Sequence, residues 1–437
     1  MVKEFLTTDE AAHVLRVSKK TVLRLIHAGE LPARKVGKSW RLLAADVVRD
    51  YNAGGADEPV YLDDNASNPL DPRVLAVMVR LLNTTVGNAS SAHLIGQRSR
   101  ACVETAREQL AARVGARPTE VVFTSGATEA NNLVLSGWPV TASRRRLVIS
   151  AGEHASVIRV AEDLATIGRV TVSIVPLRST GEVDLDALAA LMADDVALVS
   201  VVAANGETGV LNPIREVAEL AHAHGAAMHC DATQWVGRLP LDMSELDLDA
   251  VSLSGHKMCG PQGTGALIAH RRVLRQLSPL LVGGGHENGV RSGTYNVVGL
   301  AGLGAAATLA AEAGVAHRMA KTRDLFVERL RSIAGVTING DTARRLPNTV
   351  NVRFAGVPGD VLLSRTPGVA ASLGSACHSG APEPSPTLLA MGLDREAATE
   401  SVRFSTTRFT TPDDVERAAQ LLSRSVTAIR ELSQEVA

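Results

Sequence analysis

Between residues 120 and 270, seven apolar, strand-like runs alternate with stretches whose apolar residues recur at helical spacing. The runs are EVVFTSG, RLVISAGEH, TVSIVPL, VALVSVVAANGETG, GAAMHCDAT, DAVSLSGHK and GALIAH. No other feature limits the fold as much, because strands joined by helical crossovers build a largely parallel sheet covered by helices, an α/β architecture. Several runs end in polar residues, at Ser125, His154, Glu207, Asp231 and His256. In an open α/β sheet ligands bind beyond the carboxyl ends of the strands, so these side chains are expected to converge on one crevice. From about Ala311 the pattern shifts to amphipathic helices with a few short strands, which predicts a smaller α+β unit.

At 437 residues the chain is long enough for two or three domains. Its charge is uneven. The first fifty residues hold ten Lys or Arg against six Asp or Glu, a net +4, and the rest hold 35 against 40, a net −5. A basic head on a mildly acidic body directs any nucleic-acid contact to the head. There, residues 8–15 and 18–26 read as two short helices, the second capped by Ser18 and ended by Gly29. Val36, Gly37, Lys38 and Ser39 read as a hairpin turn. This pattern resembles the excisionase-like, MerR-related winged helix-turn-helix family. The resemblance directs Lys19, Lys20, Thr21 and Arg24 to the major groove and Lys38 and Arg41 to the DNA backbone. The plainer reading is a small helical module for protein contacts. Residues 52–59, NAGGADEP, read as a linker. The start of the chain lacks a signal-peptide core, no apolar run is long enough to cross a bilayer, and Cys102, Cys230, Cys259 and Cys377 are widely spread. A reducing cytoplasm is the expected compartment, with no membrane partner.

Three motifs carry chemistry. In VSLSGHKMCGPQGTGAL, Lys257 follows an apolar strand and precedes a glycine-rich turn. A lysine there is either a solvated loop residue or a partly desolvated amine that has lost proton affinity and can form a Schiff base. In FTSGATEANN a strand runs through Ser125 and Gly126 into a helix starting at Ala127, whose free amides suit a phosphate that Thr128 can also reach. An ordinary capped helix fits the same letters. In HCDATQWVG, strand alternation sets His229 and Asp231 on one face and Cys230 on the other, so a metal site is not expected. An aspartate at that strand end can keep a pyridine nitrogen protonated.

From YLDDNASNPLDPRV through GNASSAHLIG, FTSGATEANN, EHASV, NGETGVLNP, HCDATQWVGRLP, SGHKMCGPQGTGAL, GGGHENGVRSGTYN and LGSACHSG to SVRFSTTRFTT, the chain resembles the class I cysteine desulfurases, enzymes of pyridoxal phosphate (PLP) fold type I. The resemblance implies a large PLP-binding domain at residues 74–310 and a small domain at 60–73 and 311–437, behind a head at 1–51. It makes Lys257 the Schiff-base lysine, Asp231 the partner of the pyridine nitrogen, Gln234 a donor to the phenolic oxygen and His154 the residue stacked on the ring. Thr128, Ser254 and His256 would hold the phosphate, with Thr294 reaching in from the second subunit of a homodimer. Arg403 would clamp the carboxylate of L-cysteine, a task suited to a guanidinium fork.

Cys377 would receive the sulfur as a persulfide, release L-alanine and pass its cargo to an acceptor protein. Such sulfur supplies iron–sulfur clusters, tRNA thiolation or DNA phosphorothioation. By its letters alone Cys377 also fits a buried structural thiol, against which its Gly- and Ser-rich surroundings argue. Where the family has two asparagines before the glutamate, this chain has Asn205 and then Gly206, which leaves Asn205 or a water to contact the substrate, or leaves the substrate more loosely oriented. A competing expectation is a DNA-binding transcription regulator whose PLP domain only senses a ligand.

Overall fold

The computed structural model describes residues 5–14, 18–27, 31, 33–37, 39–43, 58–374 and 383–436. The predicted second α-helix of the head, Lys19–His27, is present, as are Thr8–Val14 and the hairpin Arg34–Val36 with Ser39–Leu43. Thr7 and Glu10 cap the first helix reciprocally, Glu10 N donating to Thr7 Oγ1 at 3.2 Å and Thr7 N to Glu10 Oε2 at 2.8 Å. Ser18 Oγ accepts from Thr21 N at 3.1 Å, as its expected cap role requires. A short third strand, Phe5–Leu6, pairs antiparallel with Ser39–Leu43 and was not legible in two residues. Ala11, Val22, Ile26, Leu31 and Leu42 form the small core beneath. Leu15, Gly29 and Lys38 lie outside the described residues.

All seven strand runs of the body become strands: β1 Val121–Thr124, β2 Arg146–Ser150, β3 Thr171–Val175, β4 Val196–Ser200, β5 Ala227–Asp231, β6 Ala250–Ser254 and β7 Gly265–Ala269. They form one sheet in the order β3-β2-β4-β5-β6-β7-β1. β2, β3, β4, β5 and β6 run parallel, and β7 alone runs against both its neighbours. Successive residues enter opposite cores. Val121 and Phe123 pack on one side and Val122 on the other; Val148 packs on the first side, Leu147 and Ile149 on the second. A sheet buried on both faces explains the near-continuous apolar letters, since each fully buried Leu or Ile adds about 1.5–3 kcal/mol.

The C-terminal part forms a three-stranded antiparallel sheet of Val336–Asn339, Thr349–Phe354 and Ser401–Ser405. Phe326, Phe354 and Phe404 meet edge-on in its core, with ring centroids 5.2 and 6.3 Å apart. Val60–Tyr61 pairs in parallel with Val369–Ala370, which brings residues 63–67 beside the carboxyl ends of the large sheet. No single described helix is long and apolar enough to cross a membrane.

Candidate active site

The carboxyl ends of β1, β2, β5 and β6 open onto a cleft of about 1340 Å³. Ala127, Thr128, His154, Asn205, Asp231, Gln234, Ser254, His256, Lys257 and Arg403 all line it, so ten residues singled out in the sequence are neighbours in space.

Lys257 sits in the 3-10 turn Gly255–Lys257 directly after β6. The turn has no room for side chains at its glycines: a Cβ on Gly255 would lie 2.5 Å from Thr264 Oγ1, and one on Gly260 2.8 Å from Gly255 O. Lys257 Nζ donates to the carbonyls of Asn65 and, at 2.8 Å, Ala66. Burial first, then the charges of Arg238 and Arg403, lower this amine to about 8 against the opposing pull of Asp64 and Asp63. Arg238 is held beside it by a buried ion pair, Nη2 to Asp64 Oδ2 at 2.9 Å.

Asp231 ends β5. Its Oδ1 accepts from Thr233 N at 3.0 Å and its Oδ2 from Asn131 Nδ2 at 2.8 Å. Asn131 Nδ2 also donates to Ser156 Oγ at 2.9 Å, and Ser156 Oγ lies 2.8 Å from His154 Nδ1. That nitrogen accepts from Ser156 N at 3.1 Å, so His154 caps the helix Ala155–Thr166 and its ring is fixed at the cleft wall. Behind Asp231, His229 is pinned between Ser200 Oγ and Ser252 Oγ, both at 2.9 Å, and burial lowers it to about 4.

The helix Ala127–Gly137 points its N-terminus into the cleft, and its N-cap, Gly126, has no side chain to cap the free amides. A Cβ on Gly265 would lie 2.5 Å from Gly126 Cα, so the glycine in β7 is what lets this turn approach. Thr128 and Ser254 border the same corner. His256 Nδ1 lies 3.2 Å from Ser67 Oγ; burial, then Lys257 and Arg238, lower it to about 4. An amine with weakened proton affinity, a strand-end carboxylate braced by Asn131 and an uncapped helix N-terminus flanked by hydroxyls fit PLP. Gln234 lines the same cleft, but its Nε2, the donor expected to reach the phenolic oxygen, donates to Asn65 O at 3.0 Å.

Arg403, buried on the strand Ser401–Ser405, donates from Nη2 to Asp63 Oδ1 at 2.7 Å and from Nη1 to Gly206 O at 3.2 Å. Asn205 takes a different place from the one expected. Its Oδ1 accepts from Glu207 N and Thr208 N, each at 2.9 Å, and its Nδ2 donates to Gly152 O at 3.0 Å. The carboxamide holds its own loop, so the substrate contact expected of Asn205 gives way to a bracing one. Asn65 carries no signal of a site role in its local sequence. Its carbonyl accepts from Lys257 and Gln234 and its Nδ2 donates to Gly206 O at 3.0 Å.

Thr294 is exposed and does not line the cleft of its own chain. Cys377 lies outside the described residues, but Gly374 and Glu383, on either side of it, both border the cleft. Cys230 and Cys259 are buried; burial pushes the Cys259 thiol up to about 12 and that of Cys230 well above its usual range. In the head, Lys20 and Arg24 are exposed, Lys19 pairs with Asp9 at 2.7 Å, Thr21 is half-buried, and Arg41 Nη1 donates to Trp40 O at 3.1 Å.

The family model for "Aminotransferase class-V" matches residues 60–418, and one for "Helix-turn-helix domain" matches residues 5–49. A cysteine desulfurase of Frankia sp. (strain EuIK1) is 43% identical over 86% of this chain and 93% of its own length. The solved structure of a NifS-like protein superposes with a TM-score of 0.79 at 32% identity, covering 84% of this chain and 99% of that one. A structure of SspA in complex with cysteine superposes with a TM-score of 0.71 at 30% identity, covering 80% and 99%.

Proposed function

Because the chain belongs to the class-V aminotransferases and, among them, to the PLP-dependent cysteine desulfurases, we propose that it moves the sulfur of L-cysteine onto Cys377 with Lys257 as its cofactor-bearing amine. The observation that carries these assignments is the meeting of Lys257, Asp231 and Arg403 in one cleft bordered on both sides of Cys377. In our reading Lys257, Asp231, Gln234, His154, Ala127, Thr128, Ser254 and His256 hold the cofactor. When bound, PLP supplies the electron sink that eases bond cleavage at the substrate. Arg403, already oriented by Asp63, binds the substrate carboxylate. The Lys257 amine moves the α-proton, and main-chain oxygens of Asn65 and Ala66 hold its Nζ in place. Cys377 thiolate forms a bond to the substrate sulfur as the carbon–sulfur bond breaks, and the carbon regains a proton. L-cysteine and a thiol thus become L-alanine and a persulfide, which a reductant or acceptor protein discharges. Incubating the PLP-loaded protein with cysteine and a dithiol is expected to give alanine and sulfide in equal amounts; a ligand sensor would give neither.

The rate at which the cofactor-free protein captures PLP should rise with pH and level off above about 8, since only the neutral amine is a nucleophile. Stopped-flow absorbance measures this. A plateau reached only near the 10.5 of an ordinary lysine would contradict the desolvated setting of Lys257.

Gly206→Asn tests how the substrate is held. Its Cβ would sit 3.2 Å from Gln234 Nε2, so that amide must yield a few tenths of an ångström before the added carboxamide can face the cleft. The variant is expected to lower the Michaelis constant for cysteine several-fold, on the scale of the ~1 kcal/mol that one net hydrogen bond contributes. Unchanged turnover and Michaelis constant would show that the missing side chain has no bearing on substrate binding.

We further read residues 60–73 and 311–437 as the small domain and 74–310 as the large one, supported by their separate apolar clusters. We also read the protein as a homodimer of the reducing cytoplasm with Thr294 serving the partner's cleft, a role that the exposure of this residue on its own chain supports. Exposed Lys20 and Arg24 on the second head helix support DNA binding by residues 1–51, which would bring sulfur chemistry near DNA, as phosphorothioation requires. Fluorescence anisotropy with duplex DNA should show binding that weakens steeply as salt rises. No binding at low salt would leave the head as a protein-contact module.

A further inference from the structure

Glu207 has no part in the chemistry above, yet its carboxyl group lies where the two ends of the Cys377-bearing segment come together. The loop that presents it is stiff: Asn205 Oδ1 accepts the amides of Glu207 and Thr208 at 2.9 Å, and Gly209 has a positive φ of 79° with Thr349 packed against it. Glu207 is 7% exposed. Its Oε2 accepts from Ser385 Oγ at 2.6 Å. Its other side faces Gly374, where an added Cβ would lie 2.5 Å from Glu207 Cδ and 2.6 Å from Oε1. Gly374 also has a positive φ, of 97°, so both the conformation and the contact exclude a side chain there. Two residues earlier, Ser372 pairs with Arg403, N to O at 3.3 Å and O from N at 2.7 Å. One carboxyl group therefore meets both anchors of the segment, and Ser372, two residues before one of them, is bonded to the strand that carries Arg403.

We propose that Glu207 is a positioning residue for sulfur transfer, fixing Gly374 and Ser385 so that Cys377 is delivered to substrate held at Arg403. This rests on the desulfurase reading given above. The physical basis is effective concentration: the more closely both ends of a chain are held beside the substrate, the more often a thiol between them meets it. Burial pushes the Glu207 carboxyl up to about 7, against the Ser385 hydrogen bond and the Arg403 charge, which makes a carboxyl without a salt-bridge partner tolerable there.

The test compares wild-type holoenzyme with Glu207→Ala, Glu207→Gln and Ser385→Ala, each with PLP bound. Two quantities are read: cysteine affinity, from the cofactor absorbance, and the single-turnover rate of alanine formation. Glu207→Ala is expected to slow the single turnover about fivefold, the scale of one lost net hydrogen bond of ~1 kcal/mol, with cysteine affinity within about twofold of wild type. Glu207→Gln keeps an acceptor for Ser385 and should retain most of the rate. Ser385→Ala should reproduce the slowing, and the double variant with Glu207→Ala should add little to it. If Glu207→Ala does not fold, the Ser385→Ala and Glu207→Gln pair decides the matter by the same criteria. Equal rates in wild type and the alanine variants would overturn the proposal, as would a loss appearing equally in cysteine affinity. Failure of the desulfurase reading itself looks different: wild type would then form no alanine.

Discussion

Lys257→Ala is expected to lower alanine formation by ~10³-fold or more, since a positioned proton-transfer group alone contributes about 10²–10⁴-fold and this residue also tethers the cofactor. The tether is expected to show separately: PLP should remain with wild-type protein through gel filtration and leave the variant. Lys257→Arg should not restore activity. A guanidinium stays protonated at every accessible pH, whereas the buried Lys257 amine, lowered to about 8, is partly neutral near pH 7. Alanine released per active site measures the first effect, and absorbance of the eluted protein the second.

Cys377→Ala is expected to have an effect of similar size on sulfur release, on the order of 10³-fold, because covalent transfer has no other nucleophile to use. Cys259 and Cys230 are buried with their thiols pushed far toward the protonated form, and Cys102 lies half-buried on the helix Leu94–Arg113 against the large core. This variant should differ from Lys257→Ala in one respect. With Lys257 intact, the α-hydrogen of bound cysteine should still exchange with deuterium from the solvent, which proton NMR detects. Loss of that exchange in Cys377→Ala would mean that the cysteine helps to build the site instead of receiving the sulfur.

Most of the scaffold was readable from local patterns. Seven apolar runs bounded by helical spacing gave seven strands, and their polar ends gave the cleft, because the period of a strand and the position of its carboxyl end are properties of a few adjacent residues. The direction of β7 was not readable, since GALIAH has the same letters whichever way the strand runs. The polar scaffolding behind the cleft was also hidden. Asn131 meets Asp231 from a hundred residues away and Asn65 meets Lys257 from 192 away, and no local period marks such pairs. The place of Asn205 is hidden for a related reason: its Oδ1 accepts from its own loop, and an Asx turn has the same letters as an asparagine facing a ligand. Glu207 stood out as the polar end of a strand run, but its bond to Ser385 emerged only in three dimensions.

The central claim is that sulfur from L-cysteine resides on Cys377 while Lys257 manages the proton. Its most direct test is a single turnover of PLP-loaded protein with one equivalent of cysteine and no reductant, quenched and analysed by peptide mass spectrometry alongside alanine quantitation. One alanine per active site is expected, with the mass of one added sulfur atom on the peptide containing Cys377, removed by subsequent dithiol as sulfide. Alanine formed with the sulfur released directly to solvent, or carried on the peptide of Cys102, Cys230 or Cys259, would contradict the claim.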